Sequence, residues 1–78
     1  MNLADHFGRA VRRHRELLRL SQEELANRAS IDRTYISGVE RGVRNPSLIV
    51  MQRIATALGS DLDVIFATAR EMAHKKDD

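Results

Sequence analysis

The stretch Leu20–Pro46, reading LSQEELANRASIDRTYISGVERGVRNP, constrains the fold more than any other part of the chain. Ser21 and Glu24 stand at the spacing of a capping box. The hydroxyl accepts from the free amide three residues on, and the carboxylate accepts from the amide of the cap itself. Gln22–Ala29 then predicts a short helix with Leu25, Ala26 and Ala29 on one face. Ser30 and Ile31 make a turn. Asp32 supplies an N-cap for a second helix, Arg33 to about Arg41, and Gly42 stops it.

That second helix has little to bury: Ile36 and Val39, helped by Ile31 and Tyr35. Its other face carries Arg33, Thr34, Ser37, Gly38 and Arg41, all donors or small residues. Such a face fits a flat, charged, hydrogen-bonding surface, and the major groove of DNA is one. A single Arg–Thr pair would read equally well as a solvated face. The agreement of caps, turn and face at these offsets favours a helix-turn-helix.

Composition sets the outer limits. Seventy-eight residues predict one domain, residues 1–78, and 42% hydrophobic residues fill a small core. A domain this small buries a modest share of its surface, so a second copy would add stability. The chain has no cysteine, which leaves no disulfide framework or thiolate metal site and fits a reducing cytoplasm. No apolar run approaches transmembrane length and no signal-peptide core opens the chain, so the expected location is cytoplasmic. A net charge of +2 does not argue for nucleic-acid binding, but its distribution is informative. Five arginines face one acid, Glu16, between Arg9 and Arg19, and four face Glu40 between Arg33 and Arg53. Arginine outnumbers lysine eleven to two, which suits bidentate contacts to phosphate and guanine, although GC-rich coding gives the same bias.

Three more helices complete an all-α reading. Asp5 caps the first, which runs to about Arg19. Phe7, Val11, His14 and Leu18 share its inner face, with Ala10 and Leu17 beside them, and Arg9, Arg12, Arg13 and Glu16 point away. After the loop Gly42–Pro46, residues 47–58 form the fourth helix, with Leu48, Met51, Ile54, Ala55 and Leu58 inward and Gly59 as its stop. Asp61 caps a fifth, Leu62 to about Ala73, whose apolar residues wrap further round than one core stripe needs. That excess predicts a second buried surface. Residues 74–78 read as a polar tail.

The segment IDRTYISGVERGVRNPS, with its flanks from about Phe7 to Ala69, resembles the phage-repressor-like (lambda, 434, Cro; XRE) helix-turn-helix family. More narrowly it resembles the controller proteins of restriction-modification systems. The resemblance implies a five-helix lambda-repressor-like DNA-binding domain. It implies a transcriptional regulator that binds double-stranded DNA as a homodimer on a pseudo-palindromic operator. It assigns base contacts to Arg33, Thr34 and Ser37, and backbone contacts to Gln22, Tyr35, Arg41, Arg44 and Asn45. It places Leu62, Val64, Ile65, Phe66 and Ala69 at the two-fold interface. Gly38 departs from relatives that carry a reading side chain there, so a base contact at this position is not expected. Glu23 matches an acidic position through which phage-type repressors activate, which would make RNA polymerase a partner. Nothing points to an enzyme, a cofactor or a metal. Glu71-x-x-His74 is half of a di-iron motif, in a single copy. The other class open to this sequence is an antitoxin-type or protein-interaction subunit on the same fold. Arg33 and the basic loop weigh against lost DNA binding.

Overall fold

Short polar side chains open four of the helices. The computed structural model describes residues 2–76. It contains α1 (Leu3–Leu17), α2 (Gln22–Ala29), α3 (Arg33–Glu40), α4 (Leu48–Ala57) and α5 (Leu62–Lys76), and no strand among the described residues. The Ser21 hydroxyl accepts from the Glu24 amide at 3.0 Å, and the Glu24 carboxylate accepts from the Ser21 amide at 2.8 Å. Asp32 accepts from the Thr34 amide at 2.7 Å, and Ser47 from the Val50 amide at 3.2 Å. The capping box and the cap of α3 thus form as the sequence predicts.

The first cap does not. Asn2, not Asp5, opens α1, accepting from the Asp5 amide at 2.8 Å. Asp5 lies in the first turn, where a negative charge suits the helix dipole. At its other end α1 stops at Leu17, two residues early, because Arg19 takes a left-handed conformation (φ 57°). α5 runs past Ala73 to Lys76, with no glycine or proline to stop it. The part of the expected tail at Asp77 and Asp78 lies outside the described residues.

Phe7, Val11, Leu25, Ile36, Val39, Ile54 and Ile65 are the large side chains sealed in the core. They come from all five helices, so no two helices hold together alone. The Phe7 and Phe66 rings, with centroids 5.6 Å apart and tilted at 42°, join α1 to α5. Gly8 lets α1 lie directly on α3: a Cβ there would run into the carbonyl oxygen of Val39. Three expected core residues face out instead. Leu17 and Leu18 are exposed, because the apolar stripe of α1 ends on Arg15 and the helix stops. Leu48 is 70% exposed, because it is the first residue of α4 and precedes the turn that meets the core. Among the described residues no helix is long and apolar enough to cross a membrane.

Candidate nucleic-acid interface

The structure displays α3 as the sequence suggested. Ile36, Val39 and Glu40 point inward, and Arg33, Thr34 and Arg41 are exposed, with Ser37 half-buried beside them. Of the expected base-reading residues, Arg33 and Thr34 sit in the first turn, where nothing of the chain's own covers them. Arg41 closes the helix as its C-cap. Gly42, at φ +78°, then reverses the chain: its amide donates to Val39 and that of Val43 to Gly38, each at 3.0 Å.

That reversal turns the loop back over the helix. Arg44 places its guanidinium 5.6 Å from the centre of the Tyr35 ring, the distance of a cation–π contact. Tyr35 is half-buried and packs against the core, so its ring is a fixed platform. Asn45 is exposed on the same loop. Arg33, Thr34, Arg41, Arg44 and Asn45 therefore share one basic, polar surface, with α3 along it.

Gln22, at the start of α2, also braces the far end of α3: its amide nitrogen donates to Glu40 Oε1 at 3.1 Å. Glu40 is the hub of that brace. It accepts from Arg15 Nε at 2.7 Å and from Arg15 Nη2 at 2.9 Å, while Arg15 Nη1 donates to the Leu20 carbonyl at 2.8 Å. The partner of Glu40 is thus Arg15, from outside the group of four arginines that surround it in the sequence. The signal was available: Arg15 continues the spacing of Phe7 and Val11 along α1. The hydrogen bond to Glu40, opposed by burial and helped by the charges of Glu40 and Glu16, raises the Arg15 pKa above its ordinary value. A second missed arginine, Arg53, donates through Nη2 to the carbonyls of Ala29 and Ser30, each at 2.9 Å. It closes the end of α2 at the turn between the two central helices.

Arg9, Arg12 and Arg13 are exposed on α1, as the sequence suggests. Arg9, Arg12 and Arg13, with Asp5, Glu16 and Met72, line a groove of about 470 Å³ that reaches Glu40 and Arg41 at the end of α3. Arg12 pairs with Glu16 at 3.2 Å. His14 is half-buried, its Nε2 2.8 Å from Thr68 Oγ1, and so works as a core residue between α1 and α5.

The expected two-fold surface needs correcting. Ile65 and Ala69 are 0% and 5% exposed and belong to the monomer's own core. Leu62 and Phe66 are half-buried against that core, and Val64 is 44% exposed. Uncovered aliphatics also stand at the start of α4, Leu48 and Ile49.

Two capped helices, a left-handed residue in the turn between them and an uncovered polar face on the second define a helix-turn-helix domain. The chain belongs to the helix-turn-helix family (HTH_3), whose model matches residues 11–65. It is 40% identical over 62 residues to the control protein C.MunI of a Mycoplasma species, covering 78% of this chain and 84% of that one. Its fold is similar to the crystal structure of the restriction-modification controller protein C.AhdI from Aeromonas hydrophila, with TM-score 0.78 and 42% identity over 80% of this chain and 94% of that one. It is similar too to the restriction-modification controller protein C.Esp1396I, solved as a tetramer in complex with its natural 35 base-pair operator, with TM-score 0.84 and 30% identity over 91% and 93% of the two chains. The chain spans 44% of the length of the mycobacterial helix-turn-helix regulators it matches.

Proposed function

We propose that the protein is a sequence-specific regulator of transcription that binds double-stranded DNA as a homodimer on a pseudo-palindromic operator, and that it controls a restriction-modification system, its own gene included. One observation carries this reading: α3 is pinned on one face and bare on the other, with Arg33 and Thr34 free at its leading end. Arg33 reads a guanine through O6 and N7, Thr34 offers a hydroxyl or a methyl to the next base, and Ser37 follows one turn on. Tyr35, Arg41, Arg44 and Asn45 hold the sugar–phosphate backbone, and the amides at the start of α2 beside Gln22 favour a phosphate. One helix reads too few bases for useful affinity. Two copies related by a dyad place two such helices about 34 Å apart. The exposed Val64, with Leu62 and Phe66 beside it on α5, forms the contact between them.

Replacing Arg33 by alanine tests the assignment. Specific binding to the upstream DNA of its gene should weaken by about 1–3 kcal/mol, with discrimination relaxed at one base pair of each half-site. Undiminished specific binding would refute the base-reading role. Glu23 is exposed on the first turn of α2 and makes the activating contact to RNA polymerase. A Glu23→Lys protein that binds the operator normally and still activates transcription contradicts that contact.

A further inference from the structure

Gly38 is buried although it lies on the open face of α3. It shares a stripe with Thr34, four residues before, and Arg41, three residues after, and both of those are exposed. What covers it is Arg44. A Cβ built on Gly38 would stand 2.7 Å from Cγ of Arg44, 3.3 Å from its Nε and 3.5 Å from its Cδ. The outer stem of Arg44, from Cγ to Nε, thus lies across the place where a side chain at position 38 would be. Beyond it the guanidinium reaches the Tyr35 ring. Tyr35 is three residues before Gly38, so the arginine crosses one turn of the helix.

We propose that Gly38 is a positioning residue for DNA binding: lacking a side chain, it opens a channel across α3 that lays Arg44 on the recognition surface, with Tyr35 as the platform at its end. The gap left by the missing side chain is filled from the loop. The loop is held in place for this by the bond from the Val43 amide to the Gly38 carbonyl at 3.0 Å, one residue before Arg44. An arginine ordered before DNA arrives loses less freedom on binding than one that swings free. The proposal rests on the DNA-binding reading above and adds the residue that sets where Arg44 stands.

Gly38→Ala separates this role from a structural one. The atoms a Cβ would meet belong to a side chain that can move away, so the fold survives. Alanine in place of a mid-helix glycine favours the helix, so the unfolding midpoint should stay or rise. Binding to a duplex spanning the region upstream of the gene should weaken by about fivefold or more. Arg44→Ala should weaken it to a similar extent, and the double variant should bind no worse than Arg44→Ala alone. In the free protein, NMR should find the Arg44 δ-protons shifted by the ring current of Tyr35, the sole tyrosine of the chain, and should lose that shift in Gly38→Ala.

Wild-type affinity in Gly38→Ala overturns the proposal. So does a full Gly38→Ala penalty that persists without Arg44, since the new methyl would then be meeting DNA directly. Wild-type protein that does not bind the duplex refutes the DNA-binding reading itself. The NMR comparison still decides the positioning in that case: no ring-current shift in the wild type, or an unchanged shift in Gly38→Ala, overturns it.

Discussion

Arg15 and Glu40 join α1 to the end of the recognition helix by two parallel hydrogen bonds, 2.7 and 2.9 Å long, with side chains only 12% and 3% exposed. Every remaining polar atom nearby is used, by the Leu20 carbonyl on one side and Gln22 on the other. A pair this enclosed is costly to break from one side, because the survivor stays buried without a partner. Glu40→Ala should therefore lose about 3–5 kcal/mol of stability. Replacing both residues together, as Arg15→Met with Glu40→Leu, should recover much of that loss. Urea titrations of the three variants check it.

The turn between α2 and α3 stores strain at Ser30, whose φ of 56° is left-handed without being glycine. A side chain there costs about 1–2 kcal/mol. Ser30→Gly should recover part of that cost, raise the unfolding midpoint and leave DNA binding unchanged, since the residue lines a groove with Arg28 of α2 and Arg53 of α4 and belongs to none of the expected DNA contacts. A lower midpoint would mean that the Ser30 side chain itself supports the turn.

Acid should loosen the two central helices first. The Glu24 carboxyl is held below its ordinary pKa by the backbone amide of Ser21, then by its hydroxyl, and the Asp32 carboxyl by the backbone amide of Thr34. A carboxylate whose pKa is lower folded than unfolded adds stability that is complete above the unfolded value. That stability is lost as pH falls through the folded one. Asp32→Asn keeps an N-cap without a titrating group. It should match the wild type near neutral pH and lose less stability than the wild type in the acid limb below the ordinary carboxylate range. Parallel acid limbs in chemical denaturation would assign the loss elsewhere.

Oligomerisation should depend on the outward apolar residues of α5 and α4 and not on Ile65, which is sealed in the core. Ile49 is 75% exposed and Val64 44% exposed, so glutamate at both positions should leave the monomer folded and raise the dimer dissociation constant by tenfold or more, about 1.4 kcal/mol. Ile65→Glu should unfold the chain instead, because that side chain is sealed. Sedimentation velocity and thermal unfolding separate the two outcomes. A double glutamate variant with the wild-type sedimentation profile would place the interface elsewhere.

The parts of this fold set by local chemistry were legible in the sequence. The Ser21–Glu24 box, the Asp32 cap, the Gly42 stop and the open face of α3 each depend on neighbours within one or two turns. What was not legible depends on residues far apart in the chain. Arg15 read as one more surface arginine until its partner, twenty-five residues on, lay beside it. Gly8 carried no signal of its own, yet it is where α1 and α3 touch backbone to backbone. The apolar count of α5 suggested a second buried surface, but Ile65 and Ala69 lie in the monomer's own core. Gly38 showed as a missing side chain, and only the folded loop shows Arg44 in its place.

The central claim is that two copies of α3 read one duplex together, and hydroxyl-radical footprinting of the region upstream of the gene tests it most directly. At about 0.15 M ionic strength, where exposed charges beyond about 8 Å are screened, the wild-type protein should protect two tracts related by a dyad. Their centres should lie about 34 Å apart, or a multiple of that, and Arg33→Ala should lose both together. No protection at micromolar protein, or a single tract without a symmetric mate, would contradict the account.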